Sequence, residues 1–369
     1  MHADVQSRWA VLDAEAGAYG KMAFDLDLRW DRDRDEILAL ADSCDVLHLH
    51  NYLGLDSLEF APLDFRALWA HGKPMVRHFH STPDLIARFN KQPEQAVLDC
   101  PIPKLVIAQY PERFFPNAKL VPNIVFPDAR DAAAVMPTPS AIRIGYAPSR
   151  FNSARVSRWD TKGYPETRKM LKSLERTARA HKARIEIDVI EQVSHLECMA
   201  RKARCQVVID DLATGSYHLN TLESLAQGAA CVTFMDRRTQ QAVADLIGRN
   251  DFPAIVVGLE HAQAVLLDLV LNPQTTIAIG RQSQDWMLQH WSPYAMARHF
   301  LDAYHTVLRD PRTPFPARFG SDPAEHWRVV GVHDVLWRAR MAHWPDITPP
   351  WALKVKGTAG AVLRRVGLR

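Results

Sequence analysis

The stretch IDDLATGSYHLNTLESLAQGAACVTF, Ile209 to Phe234, decides the fold. A short β-branched run ends at Asp210-Asp211 and gives way to a loop of small residues. A segment of helical period follows over Asn220–Gln227, and a second apolar run over Ala230–Phe234. A strand, a small-residue loop, a helix and a strand in that order form one turn of a parallel α/β sheet. The start of such a helix can hold an anion, because its first backbone N–H groups lack intrahelical partners and its dipole favours negative charge.

The same alternation extends in both directions. Strands are expected at Val46–Leu49, Pro74–Phe79, Leu105–Ala108, Ile142–Tyr146, Arg184–Val189, Val207–Ile209 and Ile255–Val257. Helices are expected at Asp33–Asp42, Tyr164–His181, Ser194–Ala203, Thr239–Ile247 and Glu260–Leu271. The fold class is therefore α/β with parallel sheets buried on both faces. The segment PDARDAAAVMPTPS, Pro127 to Ser140, packs three prolines and several small residues between two strand-helix series and reads as a linker. The expected organisation is a domain over residues 1–127, a linker over 128–140, a second domain over 141–290, an amphipathic helix over 291–309 and an extension over 310–369. That extension carries four of the ten tryptophans and ten basic against five acidic residues.

Composition narrows the function. The 369 residues are 47% apolar and 24% charged, which excludes disorder as the main state, and a net charge of +3 excludes a strongly cationic nucleic-acid coat. Any nucleotide partner is small. Five cysteines without a CxxC pair indicate neither a disulfide framework nor a zinc ribbon, so a reducing cytoplasm is expected. No apolar run is long enough to span a bilayer, and no signal peptide is read at the start.

Chemistry-bearing residues cluster at strand ends, where open α/β sheets form their ligand crevice. DVLHLHN (Asp45–Asn51) puts His48 and His50 on one face, either as site residues or as histidines bonded to neighbouring loops. A metal reading needs a third ligand, and no partner set for this HxH pair is evident, so no metal is expected. VRHFHST (Val76–Thr82) repeats the layout, with His80 ahead of a helix start at Ser81-Thr-Pro83. A neutral imidazole there can accept or donate a hydrogen bond to a substrate hydroxyl. Arg150, directly after a strand, and Lys162, before Gly163, suit two cations converging on a diphosphate. Glu223 lies one turn into its helix, where it can accept hydrogen bonds from a diol or close a capping box with Asn220; position alone does not separate these.

Together these residues resemble the GT-B glycosyltransferases, particularly the retaining family 4-like class. The resemblance is carried by the strand ending in Arg150, Lys162-Gly163, the turn Val193-Ser194-His195, and LESLAQG (Leu222–Gly228) before a strand. DVLHLHN, GKPMVRHFH (Gly72–His80) and LVPNIV (Leu120–Val125) look like the acceptor-side domain. It spans about residues 24–308 and implies two Rossmann-like domains facing a cleft, with the C-terminal helix returning to the first.

By that resemblance Arg150 and Lys162 hold the donor diphosphate and Glu223 the ribose hydroxyls. Backbone amides around Gly215, Ser216, Tyr217, Asn220 and Thr221 complete the phosphate cradle, and Gln192 to His195 lie by the nucleobase. His80 faces the transferred sugar as the catalytic group, and His48, His50 and Asn51 are acceptor-side candidates. The implied activity is transfer of a sugar, with retention, from a nucleotide-diphosphate donor to a glycan, lipid-linked or small-molecule acceptor, as in polysaccharide biosynthesis. It requires no cofactor and no metal. Family members carry a further glutamate eight positions before the one at Glu223, and here that position is Gly215. The first domain is expected to be truncated at its start, because six residues precede Ser7–Gly20. A nucleotide-sugar 2-epimerase and a catalytically inactive GT-B-like binding protein are the alternatives. The tail 349–369, with Lys354, Lys356, Arg364, Arg365 and Arg369 among apolar residues, is expected either to touch an anionic inner membrane face or to pack on the protein.

Overall fold

The structure is a computed structural model, and it describes residues 5–12, 27–126, 140–148, 161–320 and 324. Arg150, nearly all of the expected linker and the basic tail lie outside the described residues.

Two parallel sheets organise the chain. Short strands β1 (Ala10–Val11) and β2 (Leu28–Arg29) pair in parallel and lead to helix α1 (Arg34–Ser43). The first main sheet contains β3 (Leu47–His50), β4 (Met75–Phe79), β5 (Lys104–Ile107) and β6 (Ala118–Val121), in that spatial order. Helices α2 (Phe65–Ala70), α3 (Pro83–Asn90) and α4 (Glu94–Leu98) and a 3-10 turn at Tyr110–Phe114 connect them. Helix α3 starts where the Ser81-Thr-Pro83 signal placed it, with Thr82 as N-cap and Pro83 at the first helical position, where a missing N–H is harmless.

The second sheet is built from β7 (Ile142–Tyr146), β8 (Ile185–Val189), β9 (Val207–Ile209), β10 (Ala230–Thr233) and β11 (Ile255–Val256). Its order is β11-β10-β9-β7-β8, and every neighbouring pair is parallel. Helices α5 (Tyr164–Ala180), α6 (His195–Lys202), α7 (Leu219–Ala226) and α8 (Arg237–Ile247) make the crossovers, and α9 (Leu259–Leu271) follows the last strand. Strand order reverses between β7 and β9, and such a switch point opens a crevice at the strands' carboxyl ends. Helix α10 (Pro273–His290) was not foreseen in the sequence. It lies against the turn after α7, and Gly280 permits the approach: a Cβ there would sit 2.1 Å from the Gly228 carbonyl oxygen.

Helix α11 (Pro293–Arg309) returns to the first sheet, as expected. Its Ala303 and Val307 pack with Val76, Leu105 and Val121. The two halves also share one continuous apolar core. Phe79, Val106 and Phe115 from the first meet Tyr217, Leu222, Leu225, Trp286 and Trp291 from the second. Buried ion pairs cross the same junction: Arg113 reaches Asp236 at 2.9 Å, and Glu112, fully buried, binds both Arg238 and Arg318. A hinge at this junction would expose apolar surface and separate buried charges, so the halves are locked together here.

Candidate functional site

The carboxyl ends of the two sheets meet. The Tyr110 amide, just past β5, donates to the Ser216 hydroxyl in the loop that follows β9, at 3.0 Å. Each sheet carries polar residues at its carboxyl edge.

On the first sheet, His48 pairs with Val76 and His50 with His78 in the parallel register. Side chains of paired residues, and of residues two apart, share a face, so His48, His50, His78 and His80 all project from one side. The His48 and His50 rings stack with centroids 4.5 Å apart, those of His78 and His80 lie 4.0 Å apart, and His50 Nδ1 is 3.3 Å from His80 Nε2. His48 is held from above by helix α11, its Nδ1 2.6 Å from the Tyr304 hydroxyl oxygen. Burial, reinforced by the neighbouring imidazoles, pushes His48 and His78 well below the usual histidine range and His80 down to about 3. These rings are neutral at pH 7. Asn51 closes the edge in a left-handed conformation (φ 45°) and spends its carboxamide on the protein: Oδ1 accepts from the His80 amide and Nδ2 donates to Ser81 Oγ. Asn51 therefore positions His80, which was not foreseen in the acceptor-side reading.

The sequence reading found no partner for the His48-x-His50 pair, and here the structure corrects its premise. Sheet register supplies His78 from the adjacent strand, and ligand nitrogens of His48, His50 and His78 all lie within 4.8 Å of one another. The signal was present as a second HxH in the next strand, but only the register could show that the two pairs share a face.

On the second sheet, two aspartates at the end of β9 shape the loop into α7. Asp211 accepts from the Ala213 and Thr214 amides and the Thr214 hydroxyl. Asp210 accepts from the His218 amide, the Asn220 carboxamide and the Thr221 hydroxyl. Burial opposes the Asp210 charge, yet His218, Lys162 and Thr221 together hold its carboxyl well below the usual range. Lys162 itself is in a left-handed conformation (φ 50°) ahead of α5. The side chains of Asn220 and Thr221, however, are committed to Asp210 beneath the loop.

Glu223 does not close a capping box. The N-cap of α7 is His218, which puts Asn220 inside the helix, and the Glu223 carboxylate turns to α6. It accepts from His195 Nε2 at 2.7 Å and pairs with Lys202, whose side chain is 2% exposed. His195 and Lys202 lie seven residues apart on one helix face, which is why both reach it. A carboxylate has about four lone-pair sites, so hydroxyl donors can still share it. Sequence reading passed over Lys202 because a lysine in the last turn of a helix reads as solvated.

The cradle expectation concerns backbone amides, and the side chains of Ser216 and Tyr217 point elsewhere. Ser216 is 1% exposed beneath Tyr110, and the fully buried Tyr217 ring packs against Phe252 and Trp291, so both side chains are spent on the junction between the halves. Gly215 has φ +79°, and a Cβ there would lie 3.2 Å from the Asp236 side chain. No glutamate fits that position without strain.

No protein-family model matches the chain, and no curated protein matches it. Among solved structures, a glycosyltransferase from Rickettsia africae is similar at 13% identity and a TM-score of 0.45, over 75% of this chain and 81% of that one. Sucrose-phosphate synthase from Thermosynechococcus elongatus is similar at 12% identity and 0.46, over 75% and 77%. The Anabaena protein HepE, solved with UDP-glucose, is similar at 12% identity and 0.46, over 74% and 82%. The fold expected from the sequence, two parallel α/β sheets and a returning helix, is the fold observed.

Proposed function

We propose that this protein is a GT-B-type glycosyltransferase that moves a sugar, with retention, from a nucleotide-diphosphate donor to a glycan, lipid-linked or small-molecule acceptor. The observation that carries the reading is the convergence at the switch point of the second sheet. There the Lys162 charge acts on Asp210 at the foot of α7, and the Tyr110–Ser216 hydrogen bond joins the strand ends of the two sheets. In this reading Lys162, Arg150 and the start of α7 stabilise the departing diphosphate. Glu223, oriented by Lys202 and His195, receives the ribose hydroxyls. His80, a neutral imidazole, orients the transferred sugar, and the departing phosphate takes the acceptor's proton. His50 lies beside His80 on the acceptor side. Among the described residues no helix is long and apolar enough to cross a membrane. Peripheral attachment through 349–369, beside a lipid-linked acceptor, completes the proposal.

The test is calorimetric titration with UDP-, GDP- and ADP-sugars, UDP-glucose included, followed by NMR of products with an acceptor panel. Saturable binding of one donor together with transfer establishes the reading; no binding across the panel removes it. A second reading, a binding protein without turnover, is favoured by Gly215, whose φ of +79° strains any side chain and whose Cβ would crowd Asp236 at 3.2 Å. Tight donor binding with no transfer and no hydrolysis would select it.

A further inference from the structure

Two of the clustered imidazoles carry buried ring nitrogens that no hydrogen bond accounts for. His78 is 3% exposed, and neither of its ring nitrogens has a hydrogen-bond partner among the described residues. The Nε2 of His48 is likewise buried and without a partner, while its Nδ1 is engaged by Tyr304. Leaving such nitrogens buried and unsatisfied is costly, and native cores rarely retain them without a reason. His50, the exposed member, completes the triangle.

We propose that His48, His50 and His78 form a binding site for a divalent transition-metal ion of the zinc type. Three imidazoles, with neither thiolate nor carboxylate among them, are a donor set suited to zinc, copper, nickel or iron rather than magnesium or calcium. Zinc–nitrogen bonds of about 2.0–2.1 Å place tetrahedral ligand nitrogens roughly 3.3–3.4 Å apart. Their present separations, up to 4.8 Å, close by rotation about the soft second side-chain torsion of histidine. Tyr304 supplies the outer support. With its hydroxyl oxygen accepting from His48 Nδ1–H, the Nε2 carries the lone pair and is left for a metal, the arrangement in which a partner on one imidazole nitrogen fixes the tautomer of a ligating histidine. His50, the exposed member, opens the cluster to an ion from solvent. This site does not depend on the glycosyl-transfer reading.

The test uses the full chain, stripped with a chelator and titrated with Zn²⁺ alone, with Co²⁺ in parallel because its visible spectrum reports coordination geometry. One Zn²⁺ per chain at micromolar affinity or tighter is expected, with a Co²⁺ spectrum of four- or five-coordinate nitrogen ligation. His50→Ala and His78→Ala are each expected to weaken binding more than about a hundredfold, and Tyr304→Phe roughly tenfold to a hundredfold. His290→Ala, remote from the cluster, is expected to leave it unchanged. His50 is exposed, so His50→Ala keeps the test decisive even if the buried His78→Ala variant does not fold. Binding no tighter than millimolar, or the same affinity in His50→Ala as in the parent chain, overturns the site. Because no nucleotide sugar is present, failure of the transferase reading would leave this result standing.

Discussion

The Lys202 ammonium is buried against the Glu223 carboxylate, with His195 on the carboxylate's other oxygen. Burial alone would raise the Glu223 carboxyl, but the His195 hydrogen bond and the Lys202 charge outweigh it and hold the group below its ordinary range. Removing one partner of such a pair strands the other charge, at a cost of about 3–5 kcal/mol. Lys202→Met should destabilise by that order in urea denaturation at pH 7. A change under about 0.5 kcal/mol, the range of ordinary surface substitutions, would remove the pair from any structural role.

For Glu223 itself, folded-state depression means that the stabilisation is present above the unfolded carboxyl value of 4.5 and is lost as pH falls through the lower folded value. Glu223→Gln should therefore flatten the acid limb of the stability profile below about pH 4.5, and it should weaken donor binding if the ribose reading holds. Unaltered donor affinity in a folded variant would confine Glu223 to structure.

Lys162→Ala should weaken donor binding by about tenfold to a hundredfold, since a hydrogen bond to a charged group contributes roughly 1.5–3 kcal/mol. The same change withdraws a cation from Asp210, so its carboxyl should titrate at higher pH than in the parent. Calorimetry and carboxyl NMR read the two effects separately. Parent-like values in both would detach Lys162 from the switch point.

The histidine face makes a further pH prediction. A histidine held neutral by burial binds no proton in the folded chain below pH 6.5, whereas the unfolded chain does, so stability rises with pH over that interval. Denaturation midpoints should fall on acidification from pH 7 towards 5. His78→Gln should make that fall shallower. An equally steep fall would assign it to other groups.

Glu112 is fully buried between Arg238 and Arg318. Glu112→Gln leaves two guanidinium groups uncompensated at the junction of the halves and should cost about 3–5 kcal/mol. Calorimetric scans of the parent chain should show one transition, because the core is shared across the junction. Two separate transitions in the parent would contradict the locked joint.

Much of this was legible locally. The strand Ile142–Tyr146 was read to the residue, and most other boundaries fell within one or two positions, because β-branched runs and helix-start signals act over a few neighbours. Helix α10 escaped because its sequence, PQTTIAIGRQSQDWMLQH, has few apolar residues in a helical stripe; contact through Gly280 and Trp286 holds it in place. The capping-box alternative fails for a related reason. Asn220 and Glu223 have the correct spacing, but Asp210 draws Asn220 inward and Lys202 draws Glu223 across to another helix.

The sequence by itself determined the parallel α/β alternation, the amphipathic helix over 291–309, and the strand ends at which polar residues gather, since all of these follow from the period and order of apolar residues along the chain. Tertiary structure alone decided which of those residues meet. Register between β3 and β4 joined two separate histidine pairs into one face, the return of α11 set Tyr304 on His48, and a shared core consumed Ser216 and Tyr217 in the junction. Those pairings span as many as 256 positions of chain. Contacts at such separations depend on how whole elements pack, and a local pattern of residues carries no record of its distant partner.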